Sequence, residues 1–320
     1  MTVVVTGASG FVGSQLVKAL RTHLPAERRL LAWDHASMDE GLAVENVEWR
    51  TVDLRNADAV TAAIRDSLPT LVFHLAARSS IQQSQGAAKA THDVNVHGTA
   101  TLANALYAYA PGAVMIFASS GEVYGAAFAS GSVLSETSPV YPLNPYARSK
   151  LAAEFILQDM LSETCPVIAL RLLNHTGPGQ DERFVVPSFA AQIARIERGL
   201  VPPRLLVGNL AAERDFLDVG DVIDAYLRTL ELADSASGFQ VYNVASGRPR
   251  SIASIVDRFV ALSSASFPIE PDPNRMRPLE IASTHCDTSA FTRRTGWQPR
   301  RDFDATLADV LNWSRARVSQ

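Results

Sequence analysis

Cysteine is nearly missing from this chain: Cys165 and Cys286 are the two in 320 residues. Two thiols cannot build a disulfide framework or a zinc cluster, and both read as ordinary thiols of a reducing compartment rather than catalytic groups. Long apolar runs are missing too. Nothing approaches the roughly 18 to 20 residues of a membrane helix, and no basic stretch precedes the opening Met1-Thr2-Val3-Val4-Val5, so a cytoplasmic protein with no membrane partner is expected. Excess positive charge is also missing. The 33 acidic and 29 basic residues leave a formal net charge of −4, without the basic footprint that nucleic-acid binding needs. His74, His92, His97 and His175 are scattered rather than set at ligand spacing, so no metal site is expected.

What is present suits a folded chain. Hydrophobic residues at 47% and charged residues at 19% exclude a mostly disordered protein, and the length fits one large α/β domain or a large domain with a smaller lobe. Short β-branched runs at 3–5, 29–33, 47–52, 71–75 and 114–118 read as strands, separated by helical stretches at 11–20, 58–68 and 91–109. A helix at 145–161 and a strand at 167–171 follow. Strands joined by crossover helices imply a Rossmann-type, doubly wound parallel sheet that binds its ligands at the carboxyl ends of the strands. Beyond Arg171 the pattern loosens. Segments 174–179 and 267–278 read as loops, with helices near 188–198, 219–232 and 251–262. The expected division is a cofactor-binding domain over 1–171, with segments near 215–246 returning to it, and a smaller C-terminal substrate-binding lobe over 172–320, partly interleaved.

Thr6-Gly7-Ala8-Ser9-Gly10-Phe11-Val12-Gly13 follows the first strand directly and leads into the first helix. Gly7 permits the tight turn, Gly10 lets the backbone approach a pyrophosphate, and Gly13 allows close helix packing, while the helix N-terminus offers unpaired N–H groups to the anion. Three glycines alone can be a loop; their place between strand and helix makes them a cofactor cradle. Asp34 ends the second strand, where a carboxylate accepts from both ribose hydroxyls of an adenosine and repels a 2′-phosphate. Arg28 and Arg29 stand at the far end of that strand, so NAD(H) is favoured and NADP(H) stays open. Asp53 and Leu54, after the third strand, are placed to meet the adenine.

Tyr146 and Lys150 share one helix face. A phenol of reference pKa about 10 is a poor acid–base group at neutral pH, and a neighbouring ammonium lowers it towards use. Such pairs also arise by chance. A second cluster strengthens the reading: Ser119-Ser120-Gly121-Glu122-Val123-Tyr124-Gly125 follows the fifth strand and can bring the Ser120 hydroxyl beside the phenol.

Taken together these residues resemble the extended short-chain dehydrogenases/reductases that modify nucleotide sugars, over essentially the whole chain. The resemblance is carried by the loop from Gly7 to Gly13, by His74-Leu75-Ala76-Ala77, by Asn95-Val96-His97-Gly98-Thr99, and by Tyr146 with Lys150. It implies a nicotinamide dinucleotide held by Gly7, Ser9, Gly10, Phe11, Val12, Gly13, Leu75, Ala76 and Ala77. It further implies Tyr146 as proton donor or acceptor, Lys150 on the nicotinamide ribose and tuning Tyr146, and Ser120 on the sugar oxygen. A homodimer formed through the helices at 91–109 and 145–161 is implied as well.

Members of that family epimerise, dehydrate or reduce. The 4,6-dehydratases place Asp or Ser after the catalytic hydroxyl residue, followed by a Glu base; here Gly121 has no group to protonate a leaving hydroxyl, although Glu122 remains. Arg171 to Gln180, Val207-Gly208-Asn209-Leu210 and Arg214-Asp215-Phe216 are similar to the branch that handles GDP-mannose derivatives. That likeness implies nucleotide-sugar contacts from Asn174, Val186, Arg214, Arg277 and Glu280. The planar forks of Arg214 and Arg277 suit a diphosphate and Glu280 suits a ribose hydroxyl, against the plainer reading of surface charges or ion pairs between lobes. The implied reaction reduces the 4-keto group of GDP-4-keto-6-deoxy-D-mannose to GDP-D-rhamnose, or to its 4-epimer GDP-6-deoxy-D-talose. A nucleotide-sugar 4-epimerase or a GDP-mannose 4,6-dehydratase is the same-fold alternative, and a non-catalytic NAD-sensing protein the alternative from another class.

Overall fold

Val3, Val4 and Val5 are fully buried at the centre of a parallel sheet, where a continuous β-branched strand belongs when helices cover both faces. The computed structural model describes residues 2–37, 40–276 and 281–318. In chain order its elements are β1 (Thr2–Thr6), α1 (Phe11–His23), β2 (Arg29–Asp34), β3 (Glu48–Thr51), α2 (Ala57–Ser67), β4 (Leu71–His74), α3 (Ile81–Gly86), α4 (Ala88–His92), α5 (Gly98–Tyr109), β5 (Val114–Ser120), α6 (Pro145–Leu161) and β6 (Val167–Leu172). Then come β7 (Asn174–Thr176), α7 (Val185–Glu197), β8 (Leu205–Val207), β9 (Glu213–Asp218), α8 (Val219–Ala233), β10 (Phe239–Val244), β11 (Pro249–Ser251), α9 (Ile252–Leu262), β12 (Ile269–Pro271), α10 (Ser289–Thr295) and α11 (Phe303–Val318).

Among the described residues, seven strands form one sheet in the order β3-β2-β1-β4-β5-β6-β10, every neighbour parallel. The strand order reverses between β1 and β4, so the connections leaving their carboxyl ends part to opposite faces and open a crevice there. The period-two alternation of the strands feeds two cores. Val3, Val5 and Phe73 pack on α1 and α8 through Leu16, Leu20, Val222 and Tyr226. Val4, Leu31 and Val72 face the other way, onto Ile64, Leu102 and Leu157 of α2, α5 and α6.

The smaller lobe has its own core, in which Phe189 and Ile193 of α7, Val256 and Phe259 of α9, and Leu307 and Leu311 of α11 meet. Here the structure departs from the sequence reading. The segment 174–179 is not all loop, because β7 pairs parallel with β9; within 267–278, β12 pairs parallel with β8, and residues 277–278 lie outside the described part. Each of these strands is three residues long, too short for period-two patterning to show, and each exists through a partner elsewhere in the chain. β10 and α8 return to the large sheet and to its α1 face. The helix expected at 91–109 begins at Ala88 and widens into a π-turn at Asp93–His97 before α5. Among the described residues no helix is long and apolar enough to cross a membrane.

Candidate active site at the strand ends

A cleft of about 1230 Å³ opens where β1, β4, β5 and β6 end and the smaller lobe faces them. Its cofactor side is the loop between β1 and α1. Gly7 has φ +69°, and a Cβ on it would lie 2.7 Å from the Ala76 nitrogen; a Cβ on Gly13 would lie 2.1 Å from the Gly7 carbonyl oxygen. Side chains are therefore excluded from both positions, and backbone alone forms the cradle. No side chain caps α1, which leaves its first amides for an anion. Ser9, Gly10, Phe11 and Val12 line the same wall, joined by Leu75, Ala76 and Ala77 after β4 and by Asp53 and Leu54 after β3.

Asp34 ends β2 on the cleft, but its carboxylate is already engaged. Its Oδ2 accepts from the Ser9 N–H at 3.0 Å and the Ser9 hydroxyl at 2.6 Å, while Oδ1 accepts from the His35 N–H at 2.7 Å and meets His35 Nδ1 at 2.6 Å. Burial pushes the carboxyl pKa up, yet the bonds from Ser9 and His35 together hold it below its ordinary value. Asp34 is thus a fixed anion in the wall expected to meet the adenosine. Asp53 is clasped by Arg55 through Nε at 3.0 Å and Nη2 at 2.7 Å, which draws its pKa down to about 2. It presents an ion pair to the cleft rather than a bare carboxylate.

On the opposite wall, α6 starts at a well-defined point. Asn144 accepts from the Ala147 N–H at 2.8 Å and Pro145 presets the first turn. Tyr146 therefore stands at the helix mouth, with Lys150 and Glu154 following at four-residue steps on one face. β5 ends at Ser120, whose hydroxyl accepts from the Glu122 N–H at 3.2 Å and lines the cleft with the Tyr146 phenol. Glu122 in turn accepts from Asn144 Nδ2 at 3.2 Å.

Burial raises the Tyr146 pKa to about 12, Ser120 opposes the rise, and the Glu122 carboxylate adds to it. The Lys150 side chain is buried, donates from Nζ to the Ala118 carbonyl at 2.7 Å, and lies 4.9 Å from the Phe117 ring centroid. Burial draws its own pKa down to about 7, with Glu154 pulling it back up. Its ammonium is held by the β5 backbone.

Behind these groups lies a polar scaffold to which the sequence reading assigned no role. Arg171 of β6 forks onto Glu154 at 3.0 and 2.7 Å, and Ser119 donates to the same carboxylate. Arg171 also donates to the Tyr124 oxygen at 3.1 Å, and Tyr124 donates to Asn243 Oδ1 at 2.7 Å. A second buried chain runs under the glycine loop. Thr99 donates to the Asn95 carbonyl at 2.6 Å and so accepts from His74 Nε2 at 2.9 Å; His74 Nδ1 then accepts from the Thr6 hydroxyl at 2.8 Å, and Thr6 Oγ1 accepts from the Ala76 N–H at 3.2 Å. This bonding specifies a neutral imidazole with its proton on Nε2. The Asn95 side chain, in the π-turn, donates to Ser149 at 2.9 Å and accepts from the Arg78 N–H at 2.8 Å, tying α6 to the chain after β4. The available signal was polar residues, Thr6, His74 and Asn95, set among apolar neighbours.

The smaller lobe contributes Asn174, Val186 and Arg214. Arg214 is buried and donates from Nη1 to the carbonyls of Glu213 and Ile281, both at 2.7 Å, so backbone braces its guanidinium. Arg277 and Glu280 lie outside the described residues. Arg195 and Arg275, not selected from sequence, also line this end of the cleft; Arg195 is paired with Glu182 at 2.8 Å and Arg275 donates to Ser188 at 2.9 Å. Among the described residues no group of three or more His, Cys, Asp or Glu side chains could hold a metal ion.

Residues 3–245 match the sequence profile of the NAD dependent epimerase/dehydratase family. The chain belongs to this family. This epimerase/dehydratase family member is 35% identical over 318 residues to GDP-6-deoxy-D-mannose reductase of Pseudomonas aeruginosa, covering 99% of this chain and 98% of that one. The structure of RMD from Pseudomonas aeruginosa complexed with NADPH matches it with a TM-score of 0.84 and 33% identity over 99% of both chains. UDP-glucose 4-epimerase of Thermus thermophilus, complexed with NAD, matches with a TM-score of 0.83 and 28% identity over 98% of this chain and 99% of that one. The residues of this epimerase/dehydratase enzyme fit the family's NAD(P) cofactor: a cradle closed to side chains at Gly7 and Gly13 faces an anionic Asp34 across the loop.

Proposed function

We propose that this enzyme is a nucleotide-sugar reductase acting on the 4-keto group of GDP-4-keto-6-deoxy-D-mannose, with GDP-D-rhamnose or its 4-epimer GDP-6-deoxy-D-talose as product. The observation that carries the reading is the hydroxyl pair of Ser120 and Tyr146 on the cleft wall, followed by a residue with no acid function. Gly121 occupies the position where a dehydratase needs a proton donor, and a Cβ there would lie 2.5 Å from Leu173 Cδ1. The 35% identity to a GDP-6-deoxy-D-mannose reductase supports the substrate.

When bound, the cofactor supplies the hydride. The chain's own groups manage the proton and the charge. A phenol held at a pKa of about 12 is fully protonated at neutral pH, which suits it to give a proton to a developing alkoxide. Ser120 is placed to share that oxygen with it, and the neutral hydroxyl pair forms a two-donor oxyanion site. Lys150 and the amides of the glycine loop are placed for the nicotinamide ribose and the pyrophosphate. Asn174, Val186 and Arg214 are assigned to the nucleotide sugar, and with them Arg277 and Glu280. NADH is favoured over NADPH because the Asp34 carboxylate stays ionised where a 2′-phosphate would sit.

Assembly follows the same family reading. Tyr107 of α5 and Phe155 of α6 are 56% and 54% exposed on neighbouring helices, an apolar surface that the same two helices of a second copy would cover in a homodimer.

The test supplies purified enzyme with GDP-mannose alone and, separately, with the 4-keto sugar plus NADH or NADPH. Stoichiometric cofactor oxidation confined to the keto sugar is expected, and NMR of the product assigns its configuration at position 4. Conversion of GDP-mannose without cofactor consumption would overturn the reading in favour of a dehydratase. Interconversion of a nucleotide sugar with its 4-epimer would do so in favour of an epimerase.

A further inference from the structure

Tyr226 of α8 is fully buried, and its ring packs edge-on against Phe73 of β4, with centroids 6.1 Å apart and planes at 76°. It belongs to the apolar core beneath the glycine loop, together with Ala8 and Leu16. Its hydroxyl nevertheless has no hydrogen-bond partner among the described residues. A buried hydroxyl without a partner bears its full desolvation cost, and phenylalanine would fill the same space without that cost. The residue also lines the cleft. It does so from the α1–α8 side of the sheet, whereas Tyr146 and Lys150 enter from α6 on the other side. Both phenols line the same cleft.

We propose that the Tyr226 hydroxyl is a binding group for the nicotinamide end of the cofactor, hydrogen-bonding its carboxamide across the cleft from Tyr146. Burial keeps this phenol neutral, and a neutral donor–acceptor hydroxyl matches a neutral amide, which both donates and accepts. Asn174, Val186 and Arg214, assigned to the nucleotide sugar, come from β7, α7 and β9, whereas Tyr226 belongs to the α1–α8 core beneath the glycine loop. Held at its carboxamide, the ring has one face fixed relative to Tyr146. The orphaned hydroxyl is thereby accounted for.

This inference rests on the cleft binding a nicotinamide dinucleotide, not on which sugar is reduced, so its test uses binding. Tyr226→Phe and the unaltered enzyme are compared for thermal stability without ligand and for affinity, by calorimetry, towards NADH, NADPH and ADP-ribose, which lacks the nicotinamide. The variant should melt no lower than the parent, bind NADH and NADPH roughly five- to tenfold more weakly, as for one lost hydrogen bond, and bind ADP-ribose unchanged. Equal affinity of both proteins for NADH would overturn the assignment. Equal weakening towards NADH and ADP-ribose would overturn it too, as a general disturbance of the fold. An unaltered enzyme that binds none of the three would remove the cofactor reading itself.

Discussion

Tyr146 and His74 are both perturbed by burial, with opposite consequences. For Tyr146 the neutral phenol is the working form, so removing its hydroxyl removes a proton donor and leaves the cofactor wall intact. Tyr146→Phe should lower kcat on the keto sugar by a hundredfold or more while NADH affinity, measured by fluorescence titration, changes little; full turnover would exclude the assigned role. For His74, burial first and Lys150 second depress the pKa from 6.5 to about 3. The unfolded chain takes up a proton that the folded state refuses. The stability this preserves is complete above 6.5 and is lost as pH falls towards 3. Denaturant midpoints should therefore drop between about pH 7 and pH 4, less steeply in His74→Asn. Parallel curves would show that this imidazole is not linked to folding.

Elements built on local signals follow the sequence closely. The glycine loop lies between β1 and α1 because Gly7 and Gly13 permit contacts that a Cβ forbids, and α6 begins at Pro145 because Asn144 caps it. β7 and β12 were illegible, since three residues carry no period and their partners, β9 and β8, are supplied by the fold. The same holds for the tie between β5, α6 and β6 through Ser119, Glu154 and Arg171. Glu154→Gln strips the counter-charge from a buried guanidinium and should cost on the order of 3 to 5 kcal/mol in urea unfolding. Replacing both partners, as Glu154→Leu with Arg171→Met, should recover most of that loss; a double variant no more stable than the single one would mean that the pair is not what holds these elements.

For the whole molecule, the exposed faces of α5 and α6 are where assembly is decided. Phe155→Asp should convert the expected homodimer to monomer, as read by light scattering on an eluting column, with the melting temperature of the monomer retained. A parent protein already monomeric would dismiss the dimer. The sequence alone determined the alternation of strands and crossover helices, the glycine loop between β1 and α1, and Asp34 at the end of β2, and it offered Ser120, Tyr146 and Lys150 as candidates, because each is read from periodicity, local spacing or a short motif. Only the tertiary structure decided which groups those residues meet. Ser9 reaches Asp34 across 25 positions and Tyr124 reaches Asn243 across 119. Lys150 turns to the Ala118 carbonyl rather than the phenol, and Tyr226 comes to the cleft with its hydroxyl unmet. Burial and long-range hydrogen bonding set these outcomes, and neither has a period along the chain.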